Sequence, residues 1–170
     1  SPILETVAGV SNAKEIAAAH RRVTALSFGA EDFTRDLGTK RTKAGSELAH
    51  ARGSIVLAAK AAGIQAIDTV FPDVMDTDGL QVETEAIHQL GFDGKSVIHP
   101  RQIEVIHKVF CPSQEDIEQA LAIEEALIEA EKKGLGVASL NGRMIDSPVA
   151  KKAKNVLILA RRLGLVEGSN

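Results

Sequence analysis

The sequence predicts a parallel α/β fold, and three observations carry that prediction. Short apolar runs of strand length alternate with segments in which apolar residues recur every three or four positions, the period of a half-buried helix. Glycine or proline stands at most of the joints between them. The strand-helix alternation repeats four times before residue 112, and strict alternation implies a parallel sheet with right-handed crossovers. Two folds satisfy this pattern, an open doubly wound sheet and a (β/α)8 barrel, of which four strands would be half.

In chain order, Ser1 to Val7 is short and rich in β-branched residues, reads as a strand, and ends at Gly9. Asn12 with Glu15 three positions on has capping-box spacing, and a helix follows through Ala19. Val23 to Phe28 is the second strand, stopped by Gly29, a residue that lets the backbone turn with positive φ. Thr34 to Lys43 is a polar loop of mixed charge, expected to be a solvated surface. Leu48, Ala51, Ile55, Ala58 and Ala62 form one helical stripe closed by Gly63. Ile64 to Phe71 is the third strand, and Asp73 to Asp78 is a loop into a helix with Ile87 and Leu90 inward and Gly91 at its end. Ser96 to Ile98 is the fourth strand, after which Pro100 opens a helix with Ile103, Ile106 and Phe110 inward.

After Pro112 the character changes. Ser113 is an N-cap for a long helix to about Lys133, with Glu115 and Asp116 in its first turn and Gly134 at its end. Val137 to Leu140, Asn141-Gly142, and Arg143 to Ile145 read as a β-hairpin. Ser147 at the N-cap and Pro148 at N1 start the last helix. The expected division is therefore residues 1–112, the βα units, and residues 113–170, a helix, hairpin and helix.

Composition narrows the function. An apolar fraction of 44% with 25% charged residues is ordinary for a globular protein with a real core. A net charge of -3 without long single-sign blocks argues against nucleic acid and against a polybasic membrane anchor. No apolar run reaches eighteen residues, and the single Cys111 forms no internal disulfide, so a reducing, cytoplasmic setting is expected. A serine-nucleophile elbow, a Walker-type phosphate loop and a His-Glu-x-x-His metal motif are all missing from the sequence.

Chemistry concentrates instead on carboxylates. Glu5 and Asp32 lie near the C-terminal ends of successive strands, and a parallel sheet brings those ends together where ligands bind. Two carboxylates meeting there repel, and a divalent cation relieves the repulsion; Mg²⁺ is commonly held by one or two carboxylates plus water and substrate oxygens. The competing reading has Glu5 as a hydrogen-bonded strand end, and Glu31 and Asp32 as loop acids. Asp146 is either an acid favoured by the positive end of the last helix or a general acid/base on a mobile C-terminal segment.

Six stretches together carry a resemblance: Pro2-Ile-Leu-Glu-Thr-Val-Ala-Gly9, Phe28-Gly-Ala-Glu-Asp32, Gly63-Ile-Gln-Ala-Ile-Asp-Thr-Val70, Leu90-Gly-Phe-Asp-Gly-Lys-Ser96, His99-Pro-Arg-Gln-Ile103, and Gly136 through Gly-Arg-Met-Ile-Asp146. In that order they resemble the citrate lyase beta branch of the HpcH/HpaI aldolase group, over nearly the whole chain. The resemblance implies a (β/α)8 TIM barrel of which this chain covers the second half, followed by the C-terminal appendage. It implies metal ligands at Glu5 and Asp32, a catalytic acid at Asp146, and Mg²⁺ as cofactor. The implied reaction is cleavage of a citryl thioester, on coenzyme A or an acyl carrier protein, to oxaloacetate and an acetyl thioester. Backbone N–H groups at Gly29 and Ala30 would then hold the oxaloacetate carboxylate. The implied partners are other citrate lyase subunits, including the acyl carrier protein, and further copies of the chain. The same group holds malyl-CoA and citramalyl-CoA lyases, and a non-catalytic half-barrel scaffold is the alternative outside enzymology.

Overall fold

The computed structural model describes residues 1–134 and 137–166. The chain divides after Phe110 into two compact units. The first carries a four-stranded parallel sheet in the order β1-β2-β3-β4, with strands Ile3–Leu4, Ala25–Phe28, Gln65–Asp68 and Gly94–Lys95. Between β1 and β2 run two short helices, α1 (Val7–Ser11) and α2 (Ala13–Ala18). After β2 come α3 (Ala30–Leu37), a 3-10 turn at Ser46–Leu48, and α4 (Ala49–Ala61). Helices α5 (Thr77–Leu90) and α6 (Arg101–Phe110) follow β3 and β4. Strands laid side by side in sequence order, each followed by helix, are what half of a (β/α)8 barrel contains.

Register decides which face each strand residue takes. Ile3 pairs with Ser27 and Ser27 with Ile67, so these three share one face. Leu4 with Phe28, and Leu26 with Ala66, share the other. The second face is sealed by the helices, with Leu26, Leu48, Ile55, Ala59, Ala66 and Ile87 completely buried. The first face is open, and Ile3 is 61% exposed. One side of the sheet is a finished core, and the other is left uncovered at Ile3.

Several expected elements are corrected. Ser1 to Val7 holds only a two-residue strand, because Thr6 caps α1 by accepting the Gly9 N–H at 3.0 Å, which places Val7 and Gly9 inside a helix. The Asn12–Glu15 capping box does not form: the Asn12 side-chain amide donates back to the Ala8 carbonyl at 2.8 Å. The fourth strand is Gly94–Lys95, just before the expected Ser96 to Ile98. The loop expected from Thr34 starts later, since α3 continues through Leu37 and ends at Gly38 in the left-handed region. Ile103, expected inward, is 40% exposed, while Ile106 is buried.

The second unit is built from α7 (Gln114–Lys132), a hairpin of β5 (Ala138–Leu140) and β6 (Arg143–Ile145), and α8 (Ser147–Arg162). Ser113 and Asp116 form a complete capping box at the start of α7. Asn141 and Gly142 both have positive φ, 51° and 74°, the primed turn that matches strand twist in a two-residue hairpin. Ala120, Ile123, Ala130, Ala138, Ile145, Ala153 and Leu157 close a separate small core. The N-cap of α8 is Asp146 and not Ser147: its carboxylate accepts the Val149 N–H at 2.9 Å, and Ser147 is the first helical residue. The resemblance stretch that begins at Gly136 has its first residue outside the described residues.

Candidate metal centre

Glu5 and Asp32 do come together. They line one cleft of about 420 Å³ with Thr6, Arg35 and Asp36, at the C-terminal end of the sheet. Glu5 leaves β1 on the open face, two residues after Ile3. Asp32 stands in the first turn of α3, where the unpaired N–H groups of the helix favour negative charge.

The glycine between them acts differently from the sequence expectation. Gly29 has φ −111°, well inside the range open to any residue, so no left-handed turn requires it. What requires it is space: a Cβ at position 29 would lie 2.8 Å from Glu5 Cβ, 3.2 Å from Glu5 Oε2 and 3.2 Å from Ile3 Cγ2. The bare α-carbon is the floor under the Glu5 side chain. Nor are the two amides expected to hold a substrate carboxylate open for it. The Gly29 N–H donates to the Leu4 carbonyl at 3.0 Å, and the Ala30 N–H donates to Thr69 Oγ1 at 3.1 Å. Helix geometry instead leaves the N–H groups of Glu31 and Asp32 without intrahelical acceptors.

Asp32 Oδ1 pairs with Arg35 Nη2 at 2.5 Å, one turn along the same helix. Arg35 is 80% exposed, so this pair is screened and its guanidinium is free to swing away. Asp36 accepts the Val7 N–H at 2.7 Å and so ties the start of α1, two residues past Glu5, to α3. The donor set is thus two carboxylates, one of them compensated only by a surface arginine. No cluster of three or more His, Cys, Asp or Glu side chains suited to a metal occurs among the described residues. Two carboxylates with room for water and ligand oxygens fit Mg²⁺, which keeps much of its hydration, better than a metal needing a full protein cage.

A second charged group at the same sheet end escaped the sequence reading. Asp68, at the end of β3, takes a two-pronged bond from Arg52 of α4, with both N–H···O distances 2.9 Å. Lys95 Nζ, fully buried, donates to Asp68 at 2.8 Å, to Glu83 of α5 at 2.6 Å and to the Thr69 carbonyl at 2.9 Å. Arg52 also reaches Glu83 at 3.2 Å. Burial works against the Arg52 charge, but Asp68 and Glu83 outweigh it and hold the guanidinium above its ordinary range. Arg41, expected on a solvated loop, is only 11% exposed; it bonds the Val70 carbonyl at 2.8 Å and pairs with Glu31. The available signal was an acid within the expected third strand and a lysine just before the expected fourth, Asp68 and Lys95.

Asp146 belongs to the second unit and is engaged there as the cap of α8. No helix among the described residues is long and apolar enough to cross a membrane.

Comparison with known proteins gives this arrangement a context. Residues 3–100 match the family model described as HpcH/HpaI aldolase/citrate lyase. The citrate lyase subunit beta of Haemophilus influenzae is 51% identical over 158 residues, covering 93% of this chain and 54% of that protein. A citramalyl-CoA lyase, mitochondrial, of Rattus norvegicus is 37% identical over 94% of this chain and 49% of its own length. Among solved structures, Mycobacterium tuberculosis CitE in complex with magnesium, acetoacetate and coenzyme A superposes with a TM-score of 0.72 at 36% identity, covering 93% of this chain and 59% of that one. The chain spans about half the length of the curated relatives it matches.

Proposed function

From the premise that this chain belongs to the HpcH/HpaI aldolase/citrate lyase family, we propose that it carries the metal-binding half of a carbon–carbon lyase acting on a citryl thioester. The observation that carries the reading is the convergence of Glu5 and Asp32 on one cleft over a glycine that has no other reason to be a glycine. These two carboxylates would hold Mg²⁺, the ion present in the CitE complex. When bound, the ion supplies Lewis-acid stabilisation of the oxygens of the departing keto acid.

The remaining steps fall to the chain's own groups. The N–H groups of Glu31 and Asp32, at the positive end of α3, orient the oxaloacetate carboxylate, in place of the occupied Gly29 and Ala30 amides. Arg35, mostly exposed, would release Asp32 to hold the cation. Cleavage leaves the electron pair of the broken carbon–carbon bond on the acetyl thioester as an enolate, which needs one proton. Asp146 is the assigned acid/base, taking the proton of the tertiary hydroxyl as the bond breaks and returning it to the enolate carbon, acting at the site of a neighbouring protomer. Coenzyme A or an acyl carrier protein carries the thioester, in a cytoplasmic complex with the other citrate lyase subunits.

In the full-length protein, oxaloacetate release from citryl-CoA should require Mg²⁺ and disappear in Glu5→Ala and Asp32→Ala. Normal turnover in both variants would remove the site assignment. The match to citramalyl-CoA lyases supports a second reading, in which a citramalyl or malyl thioester is the substrate. Relative kcat/KM across the three thioesters decides between them.

A further inference from the structure

We propose that Thr69, just past β3, a strand that contributes neither carboxylate, is the positioning residue that sets the direction of Asp32 at the metal centre. The inference rests on the metal reading of Glu5 and Asp32 given above.

The start of α3 holds a conflict. A helix N-terminus needs an acceptor for its first N–H groups, and the residue at the N-cap usually supplies one from its own side chain. Here the N-cap is Gly29, which has no side chain because Glu5 occupies that space. The acceptor therefore comes from another segment, the residue after β3. Thr69 provides it, its hydroxyl taking the Ala30 N–H at 3.1 Å from a position only 2% exposed.

Thr69 is itself held from behind. Its carbonyl accepts Lys95 Nζ at 2.9 Å, and that ammonium is fixed by Asp68 and Glu83. The next carbonyl, of Val70, accepts Arg41, which pairs with Glu31. Two tethers from Thr69–Val70 thus reach Ala30 and Glu31, the two residues immediately before Asp32. Attachments at consecutive residues of one turn stop that turn from rotating about the helix axis, and its rotation decides where the Asp32 carboxylate points. Neither Thr69 nor Arg41 lines the cleft, so the effect on the metal passes entirely through α3.

The test uses Mn²⁺ as probe in the full-length protein, with affinity read by titration and electron paramagnetic resonance. Thr69→Val keeps the shape of the side chain and removes the acceptor. It should weaken Mn²⁺ binding by about tenfold, the lower end of what supporting hydrogen bonds around metal ligands contribute. Thr69→Ser restores the hydroxyl and should restore the affinity, which a purely packing role would not do. Wild-type Mn²⁺ affinity in Thr69→Val, beside loss of binding in Asp32→Asn, would overturn the positioning role alone. Undiminished binding in Asp32→Asn would overturn the metal reading and this inference with it. Should Thr69→Val fail to fold, Arg41→Gln cuts the second tether without touching Thr69, and unchanged Mn²⁺ affinity there overturns the proposal.

Discussion

The two charged groups at the C-terminal end of the sheet are built on opposite terms. Around Asp68 each oxygen has a partner: Arg52 takes both, and Lys95 adds a third bond before passing on to Glu83 and the Thr69 carbonyl. Asp68 and Lys95 have no exposed side-chain surface at all. In the cleft, by contrast, Glu5 is exposed and Asp32 meets an arginine that is itself mostly in water. Carboxylates whose oxygens are all matched can only hold the fold together. Those left incompletely matched can take a ligand. The first group is scaffold and the second is the proposed site, although the residue types are the same.

Breaking the scaffold should have the largest effect. Lys95→Met leaves Asp68 and Glu83 buried without their shared cation, and stability in chemical denaturation should fall by about 3–5 kcal/mol. Glu5→Gln and Asp32→Asn, made alongside, should shift stability by no more than about 0.5 kcal/mol while Mg²⁺ dependence is lost. An equal loss of stability in both sets would erase the distinction. Next comes Gly29→Ala, which joins the two groups by pressing on Glu5 from the turn that Thr69 supports. Overpacking there should cost about 1–3 kcal/mol and lower metal affinity together.

Asp146 sharpens the comparison in the second unit, where one carboxylate serves a fold and is assigned chemistry. Asp146→Ala should lose about 1 kcal/mol with the cap of α8, whereas Asp146→Asn, an equally good cap, should keep stability and lose turnover. Full activity in the asparagine variant would leave Asp146 a cap only.

The smallest expected effect is a pH response at α7. The Ser113 hydroxyl, and then its backbone N–H, hold the Asp116 carboxyl below its ordinary value of 3.8. A depressed carboxyl contributes its stabilisation above the unfolded value and loses it as pH falls through the folded one. Amide protection in the first turn of α7 should therefore drop in acid below about pH 4, and Ser113→Ala should move that drop to higher pH. Protection unaffected by either change would remove the capping box from the account.

What the sequence made legible was local or periodic. The four βα units follow from apolar spacing, and the Asn141-Gly142 hairpin from a turn only such residues adopt readily. The convergence of Glu5 and Asp32 was legible because parallel strands bring their C-terminal ends to one edge. The network around Asp68 was not, since Arg52 and Lys95 stand 16 and 27 residues from it and no local pattern pairs them. The first strand was overextended because Thr6-Val-Ala-Gly9 reads as β-branched and glycine-stopped, while one hydroxyl on Thr6 is enough to start a helix there. Ser147 reads as the cap and Asp146 as an acid beside it, yet the backbone bends one residue earlier and gives the role to the acid.

The contact that excludes a side chain at position 29 has a consequence for how this site can change over generations. The obstruction is Glu5 Cβ, an atom that every residue but glycine carries. A larger residue at 29 is therefore not rescued by trimming Glu5 to aspartate, alanine or serine. Only glycine at 5 would remove the nearest obstruction, and that removes the acid. Positions 5 and 29, 24 residues apart in sequence, are therefore expected to vary together: any residue but glycine at 5, the acid included, calls for glycine at 29.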